Sequence, residues 1–272
     1  MKGDLHVHST ASDGTFTPSE LVAAALAAEL DVIAIADHDT VAGQREALAA
    51  AEPTSLRLIP AVELSCVIDD ADVHILGFHV DIQDPHLLER LELLKNARLR
   101  RAELLVRTLT EAGFAVNIDE VLLYSDGGSV GRSHIARALV AAGHAVDVHE
   151  AFDRFIGRGK PFYVPKEAQT AAEAVQLIHG AGGVAIVAHP GIGDVPAHFD
   201  TLLEAGIDGI EAYHADHTAE QRALFARYAE EHALLTSGGT DFHGPSAPNP
   251  YIGDVVVPSA VVERIVRWTR AS

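Results

Sequence analysis

Residues 32–39, VIAIADHD, decide the fold. Val32 to Ala36 is an apolar run too short for a helix, the pattern of a strand buried on both faces of a parallel sheet. It stops at Asp37-His38-Asp39, three polar groups crowded at the lip of a core. In a parallel barrel the C-terminal strand ends gather at one face, where loops build active sites. The same pattern repeats on both sides. Gly3–Val7 reads as a strand leading into His6-x-His8, and period-two alternation puts both imidazoles on one side. Thr17-Pro18-Ser19-Glu20 reads as a helix start, with Thr17 as N-cap, Pro18 first and Glu20 completing a capping box, ahead of a helix over 21–30. A helix over 41–51 leads to a strand over 56–62 ending at Glu63, and 73–80 is a further strand holding His74.

After residue 168 the alternation returns. Residues 184–188 form a strand ending at His189-Pro190-Gly191, and 234–237 a strand running into Gly238-Gly239-Thr240-Asp241-Phe242-His243. Further strands are expected over 207–212 and 255–257, and helices over 171–180, 219–232 and 260–270. Repeated βα units favour a parallel sheet; periodicity alone does not separate an open sheet from a closed barrel. Between the two halves the rhythm is helical. Leu87, Leu88, Leu91, Leu94, Leu99, Ala102, Leu105, Val106 and Leu109 space one long helix up to Gly113, with shorter helices over 133–142 and 147–156. Residues 84–168 therefore read as a small helical domain, inserted over the active site of a barrel made from 1–83 and 169–272.

The chain has 272 residues, 48% of them hydrophobic, enough for one large α/β core. No apolar run approaches the roughly 18 residues of a membrane span. The opening MKGDLHVHST lacks a basic-then-apolar leader, and one cysteine, Cys66, forms no internal disulfide, so a cytoplasmic setting is expected. The net charge of −19 argues against a broad nucleic-acid surface, and no duplex or membrane partner is expected. The charge is uneven: residues 84–166 carry 12 basic against 11 acidic side chains, and the rest 8 against 28. An anionic substrate would meet its protein cations mostly in the middle segment, and bound divalent ions would add more positive charge.

Nine side chains of metal-binding type punctuate these strands: His6, His8, Asp13, His38, Glu63, His74, His189, Asp241 and His243. Taken singly, His74 and His189 read as well as hydrogen-bonded core histidines. Asp241-x-His243 repeats the period-two spacing of the first pair. Imidazoles and carboxylates without thiolates suit Mn²⁺, Zn²⁺ or Fe²⁺, and six of one with three of the other would hold more than one such ion. A water between two such ions loses its proton readily and attacks phosphorus in line, while the ions and nearby cations neutralise the phosphoryl oxygens.

The strings DLHVHST-SDG, ADHD, VELS, VHILGF, AHPG and SGGTDFHG, in this order along nearly the whole chain, resemble the polymerase-and-histidinol-phosphatase (PHP) phosphoesterases. The resemblance implies a distorted (β/α)7 barrel with two or three divalent metal ions, manganese favoured over zinc or iron. It also implies His6, His8, Glu63 and Asp241 around one metal, Glu63, His74 and His189 around a second, and Asp13, His38 and His243 around a third. Asp13 stands where a histidine is often found, which would weaken the third ion. Asp13, His38, Glu63, His189 and Asp241 are thereby implied in catalysis, with Asp37 and Asp39 orienting His38.

Substrate choice is expected to rest with the insertion. Gly131-Arg132-Ser133-His134 precedes a helix, where Arg132 offers a planar fork and Ser133 an N-cap beside an anion-favouring helix start. Gly157-Arg158-Gly159-Lys160-Pro161 is a cationic loop, equally readable as solvated surface charge. GRSHIARAL and GRGKPFYVPK are similar to one PHP branch, the stand-alone enzymes that remove the 3′-phosphate of 3′,5′-nucleotide bisphosphates and are linked to 5′→3′ trimming of short RNA. This implies Arg132, His134 and Lys160 as phosphate contacts. Glu211, Tyr213, His214 and His217 are expected to follow a strand at the same rim, His214 as a substrate contact, although Glu211 could equally be structural. Two other readings stand beside this one. Histidinol-phosphate phosphatase is disfavoured by the long insertion. A non-catalytic, metal-stabilised accessory module is disfavoured by the complete ligand set and by the lack of a polymerase segment.

Overall fold

The computed structural model describes residues 1–69, 71–125, 127–166, 169–245, 247–249 and 251–269. The first half alternates strand and helix: β1 (Gly3–Val7), α1 (Pro18–Ala27), β2 (Val32–Ile35), α2 (Gln44–Ala51), β3 (Arg57–Ile68) and β4 (Ala71–Phe78). Then come α3 (Pro85–Glu111), α4 (Ile118–Ser125), α5 (Arg132–Ala141) and α6 (Val148–Ala151), which passes into a π-helical turn at Phe152–Ile156. The last part holds β5 (Gln169–Thr170), α7 (Ala171–Gly180), β6 (Val184–Val187), α8 (Phe199–Glu204), β7 (Gly209–His214), α9 (Ala219–Glu231), β8 (Leu235–Gly239) and α10 (Ser259–Val266). Thr17 caps α1 and Glu20 answers it, as the sequence predicts.

The strands lie in the order β1-β2-β3-β4-β6-β7-β8, with β5 on the side of β3. The seam between β8 and β1 is nearly closed: past the end of β8 the Asp241 N–H donates to His6 O at 2.8 Å, and the His8 N–H to Phe242 O at 2.9 Å. This makes the mixed α/β, distorted barrel that the sequence leads one to expect. Asp4 anchors the seam, its buried carboxylate accepting from Thr240 N–H, Thr240 O–H and Gly253 N–H. Gly239 is packed too closely for a side chain, since a Cβ there would stand 2.5 Å from His6 N and Cβ. Val32, Ala34, Ile59, Leu76 and Ile186 fill one core cluster, and α10 covers it through Val262 and Ile265. The helices between β4 and β5 bury Leu105, Leu109, Ile135 and Phe155 against one another in a cluster of their own.

Three expectations are corrected. The sheet is not uniformly parallel: β4 runs antiparallel to both β3 and β6. Glu63 lies inside the twelve-residue β3, opposite Leu76, rather than at a strand end. Residues 255–257 form no strand; Val255 and Val257 are buried and Val256 exposed, so alternation persists without a partner strand.

Candidate metal centre

The nine side chains converge at one mouth of the barrel, brought there by different elements. His6 lies in β1 within a register irregularity between Asp4 and Val7, and His8 follows the strand. His38 follows β2 and bridges across to Glu63. Glu63 and His74 come from the β3–β4 hairpin, His189 follows β6, and Asp241 and His243 follow β8. Asp13 comes from the loop after β1.

Glu63 is the hub. Its Oε1 is 2.9 Å from His74 Nδ1 and 3.0 Å from His189 Nε2. Its Oε2 is 2.7 Å from His38 Nδ1, 3.4 Å from His8 Nε2 and 3.6 Å from His6 Nε2. A second grouping joins His6 and His8, whose Nε2 atoms are 3.1 Å apart, to Asp241 Oδ1 at 3.4 and 3.0 Å. A third gathers on Asp13 Oδ1: His243 Nε2 at 3.2 Å, His8 Nδ1 at 3.9 Å and His38 Nε2 at 4.0 Å. His8 and His38 each lie between two groupings.

The donor set fits divalent ions. Two ligand atoms about 2.1 Å from one ion at tetrahedral or octahedral angles stand roughly 3.0–3.4 Å apart, and the His6–His8–Asp241 separations lie in that range. Buried polar atoms without hydrogen-bond partners are costly, and four atoms here make no hydrogen bond of good geometry, His8 Nδ1, Asp13 Oδ1, His38 Nδ1 and Glu63 Oε2, even where they approach one another or His243 closely. The electrostatics agree. Burial alone would push the Glu63 carboxyl up, but His38, His74 and His6 outweigh it and hold it well below its ordinary range. Asp13 and Asp241 are held down in the same way, against burial, with His243 the strongest neighbour of each. Burial opposes the charging of His243, yet Asp13 and Asp241 raise it to about 10, while burial carries His74 down to about 3. Protons on imidazoles thus stand in for the positive charge that cations would bring.

Around this centre several expectations change. Asp37 accepts from Ser9 N–H, Ser9 O–H and Ser12 O–H, and Asp39 from Ser65 N–H and the Arg98 guanidinium; these hydrogen bonds brace the surrounding loops and do not reach His38. Gly131, not Ser133, is the N-cap of α5; its N–H donates to His134 Nδ1 at 2.9 Å, so His134 serves the cap. Ser133 donates instead to Asp13 Oδ2 at 2.8 Å, tying α5 to the metal-type cluster. Arg132 lies 3.1 Å from Asp72, under the rings of Phe152 and Tyr163. Lys160 pairs with Asp153. His214 lies within β7 and is fully buried, its Nε2 3.8 Å from Asp241 Oδ2, so it does not sit at an open rim. Glu211 and Tyr213 are also inside β7; His217 follows it and is tied to Ala212 O and Gly191 N–H.

The sequence reading missed three cations. Arg98, Arg101 and Lys166 line one cleft with Asp39 and Ser65. Lys166 Nζ is 3.2 Å from Asp72 and 3.3 Å from His74 Nε2, which puts a partly buried ammonium against a metal-type histidine. Arg101 donates from Nε to Val164 O and keeps a buried, unpartnered guanidinium nitrogen. The signal was present in α3: Arg98 and Arg101 lie on the same stripe as Leu94 and Leu105, where an apolar residue is the rule.

The PHP domain family matches residues 4–233. A 5′-3′ exoribonuclease of Haemophilus influenzae is 39% identical over 249 residues, covering 90% of each chain. A 3′,5′-nucleoside bisphosphate phosphatase of Chromobacterium violaceum is 36% identical over 259 residues, covering 92% of this chain and 90% of its own. Among solved structures, a protein of Bifidobacterium adolescentis assigned as a metal-dependent phosphoesterase superposes with a TM-score of 0.89 at 35% identity, covering 97% and 95%. By family match, identity and coverage, this chain belongs to the PHP domain family.

Proposed function

We propose that the chain is a metal-dependent phosphoesterase that removes the 3′-phosphate of 3′,5′-nucleotide bisphosphates, with trimming of short 5′-phosphorylated RNA as a second activity. The observation that carries this reading is the meeting of two charge systems: nine imidazoles and carboxylates at the barrel mouth, and a cationic cleft joined to them through the Lys166–His74 contact. Relatives at 36–39% identity carry the names of both activities, which favours a nucleotide over histidinol phosphate. The complete donor set likewise disfavours a non-catalytic module.

His6, His8, Glu63 and Asp241 would hold one ion, Glu63, His74 and His189 a second, and Asp13, His38 and His243 a third, manganese favoured over zinc or iron. When bound, such ions acidify water and neutralise phosphoryl oxygens. The chain's own groups do the rest. Lys166, Arg132 and Arg101 converge near Asp72 and Tyr163, and would bind the phosphate that does not react. Arg98, braced on Asp39 and Ser65, shapes the floor of that cleft. Residues 84–168 would act as the specificity-bearing cover. Their balanced charge, against the acidic remainder, concentrates positive potential where an anion must enter. A reducing, cytoplasmic setting accords with the single buried thiol of Cys66.

The test is phosphate release from adenosine 3′,5′-bisphosphate by the Mn²⁺-loaded chain, with 3′-AMP and 5′-AMP alongside. Rapid conversion to 5′-AMP with little action on either monophosphate is expected. A chain that leaves the bisphosphate intact while hydrolysing another phosphomonoester well refutes the assignment.

A further inference from the structure

We infer that Glu211 is a positioning residue that locks two metal-type histidines from different strands, presenting His6 to the centre through Nε2 alone. The inference rests on the metal-centre reading above and goes beyond its nine side chains. Glu211 is fully buried in β7. Its carboxylate oxygens lie 3.1 and 3.2 Å from His6 Nδ1, and Oε2 also accepts the backbone N–H of His189 at 2.7 Å. One side chain therefore fixes the ring of the first histidine and the backbone of the other.

Both constraints matter for geometry. A carboxylate has no proton to give, so His6 Nδ1 must be the donor, and Nε2 is left facing His8, Glu63 and Asp241. His189 sits at φ +27°, a backbone conformation that non-glycine residues rarely adopt and that persists only where its surroundings impose it. The Glu211 acceptor is one such restraint. A register shift between Glu211 and Tyr213 leaves both Glu211 and His214 buried toward His6, although strict alternation would put them on opposite faces.

The test reads metal binding rather than turnover, so it stands whatever the substrate proves to be. Glu211→Gln keeps the volume and one acceptor for His189, but its amide can offer His6 Nδ1 a donor, favouring the tautomer with the proton on Nε2. Zn²⁺ titrated into the metal-stripped folded chain against a competing chelator should bind about 10–100-fold more weakly to E211Q than to the unmutated chain. Unchanged zinc affinity and stoichiometry, with only a lower melting temperature of the stripped chain, would assign Glu211 to the core and overturn the inference. An unmutated chain that takes up no zinc would overturn the metal-centre reading itself. If E211Q does not fold, ¹⁵N imidazole spectra of the unmutated zinc-loaded chain decide. His6 protonated at Nδ1 and metallated at Nε2 supports the lock, and the reverse assignment refutes it.

Discussion

Glu63→Gln is the sharpest probe of the centre, because it removes one charge and little volume. Glu63 is fully buried, and three imidazole nitrogens lie within 3.0 Å of its two oxygens: His38 and His74 at 2.7 and 2.9 Å, His189 at 3.0 Å. Leaving one side of a buried charge pair uncompensated costs about 3–5 kcal/mol. At roughly 2–3 °C per kcal/mol for a chain of this size, the metal-stripped variant should melt roughly 6–15 °C lower. A glutamine has one acceptor oxygen where Glu63 has two, so it cannot serve the groupings on both sides. E63Q should retain at least one metal ion fewer than the unmutated chain after dialysis, measured by elemental analysis. Several kcal/mol of transition-state stabilisation leave with that ion, so turnover should fall by about 10³-fold or more. An E63Q chain with unmutated metal content and the same melting shift on chelation would refute the hub assignment, whatever its activity.

Arg132→Ala should lower kcat/KM for bisphosphates by about 2–4 kcal/mol, with much smaller losses on simple phosphomonoesters; equal losses on both would move Arg132 to the reacting phosphate or to a structural role. The metal-stripped chain should lose stability as pH rises. His243 is raised from 6.5 to about 10 by Asp13 and Asp241 against burial, so its contribution is complete below about 6.5 and disappears as pH climbs through 10. Melting curves of stripped and loaded chains between pH 7 and 10 check this, and a stripped chain that becomes more stable over that range would contradict it. Gly239→Ala should push β8 away from His6 at the barrel seam, lowering both the melting temperature and zinc affinity; a fully stable G239A with normal zinc uptake would show that the seam can shift at little cost.

Much of the site was legible because a parallel strand announces its own end. His6-x-His8, Asp37-His38-Asp39, His189-Pro190-Gly191 and Asp241-x-His243 each close or follow a run whose apolar character stops abruptly. Glu63 and His74 are recognisable by residue type, but the strand end expected at Glu63 is not there. They face each other's strands from inside an antiparallel hairpin, and β3 is buried on both faces around Glu63, so neither alternation nor a turn marks the position. The direction of β4 was hidden for the same reason, since an apolar run looks alike parallel or antiparallel. Val255 and Val257 show the opposite failure: strand-like alternation arose from packing against α10 and the barrel, without a hydrogen-bonded neighbour. Lys166 becomes visible only once the chain folds back onto His74 from ninety-two residues away.

Three non-glycine residues at the mouth hold left-handed backbone conformations: Asp39 at φ +51°, His189 at +27° and Asp241 at +54°. Each costs of order 1–3 kcal/mol that the surrounding fold must offset. A cation that binds only this shape adds stability as RT ln(1 + [M]/Kd), about 1.4 kcal/mol for each tenfold rise in free metal above Kd. The native population then follows ionic supply. Where divalent ions are scarce, the folded fraction would fall together with turnover, so the abundance of the chain would report ion supply as well as its activity does.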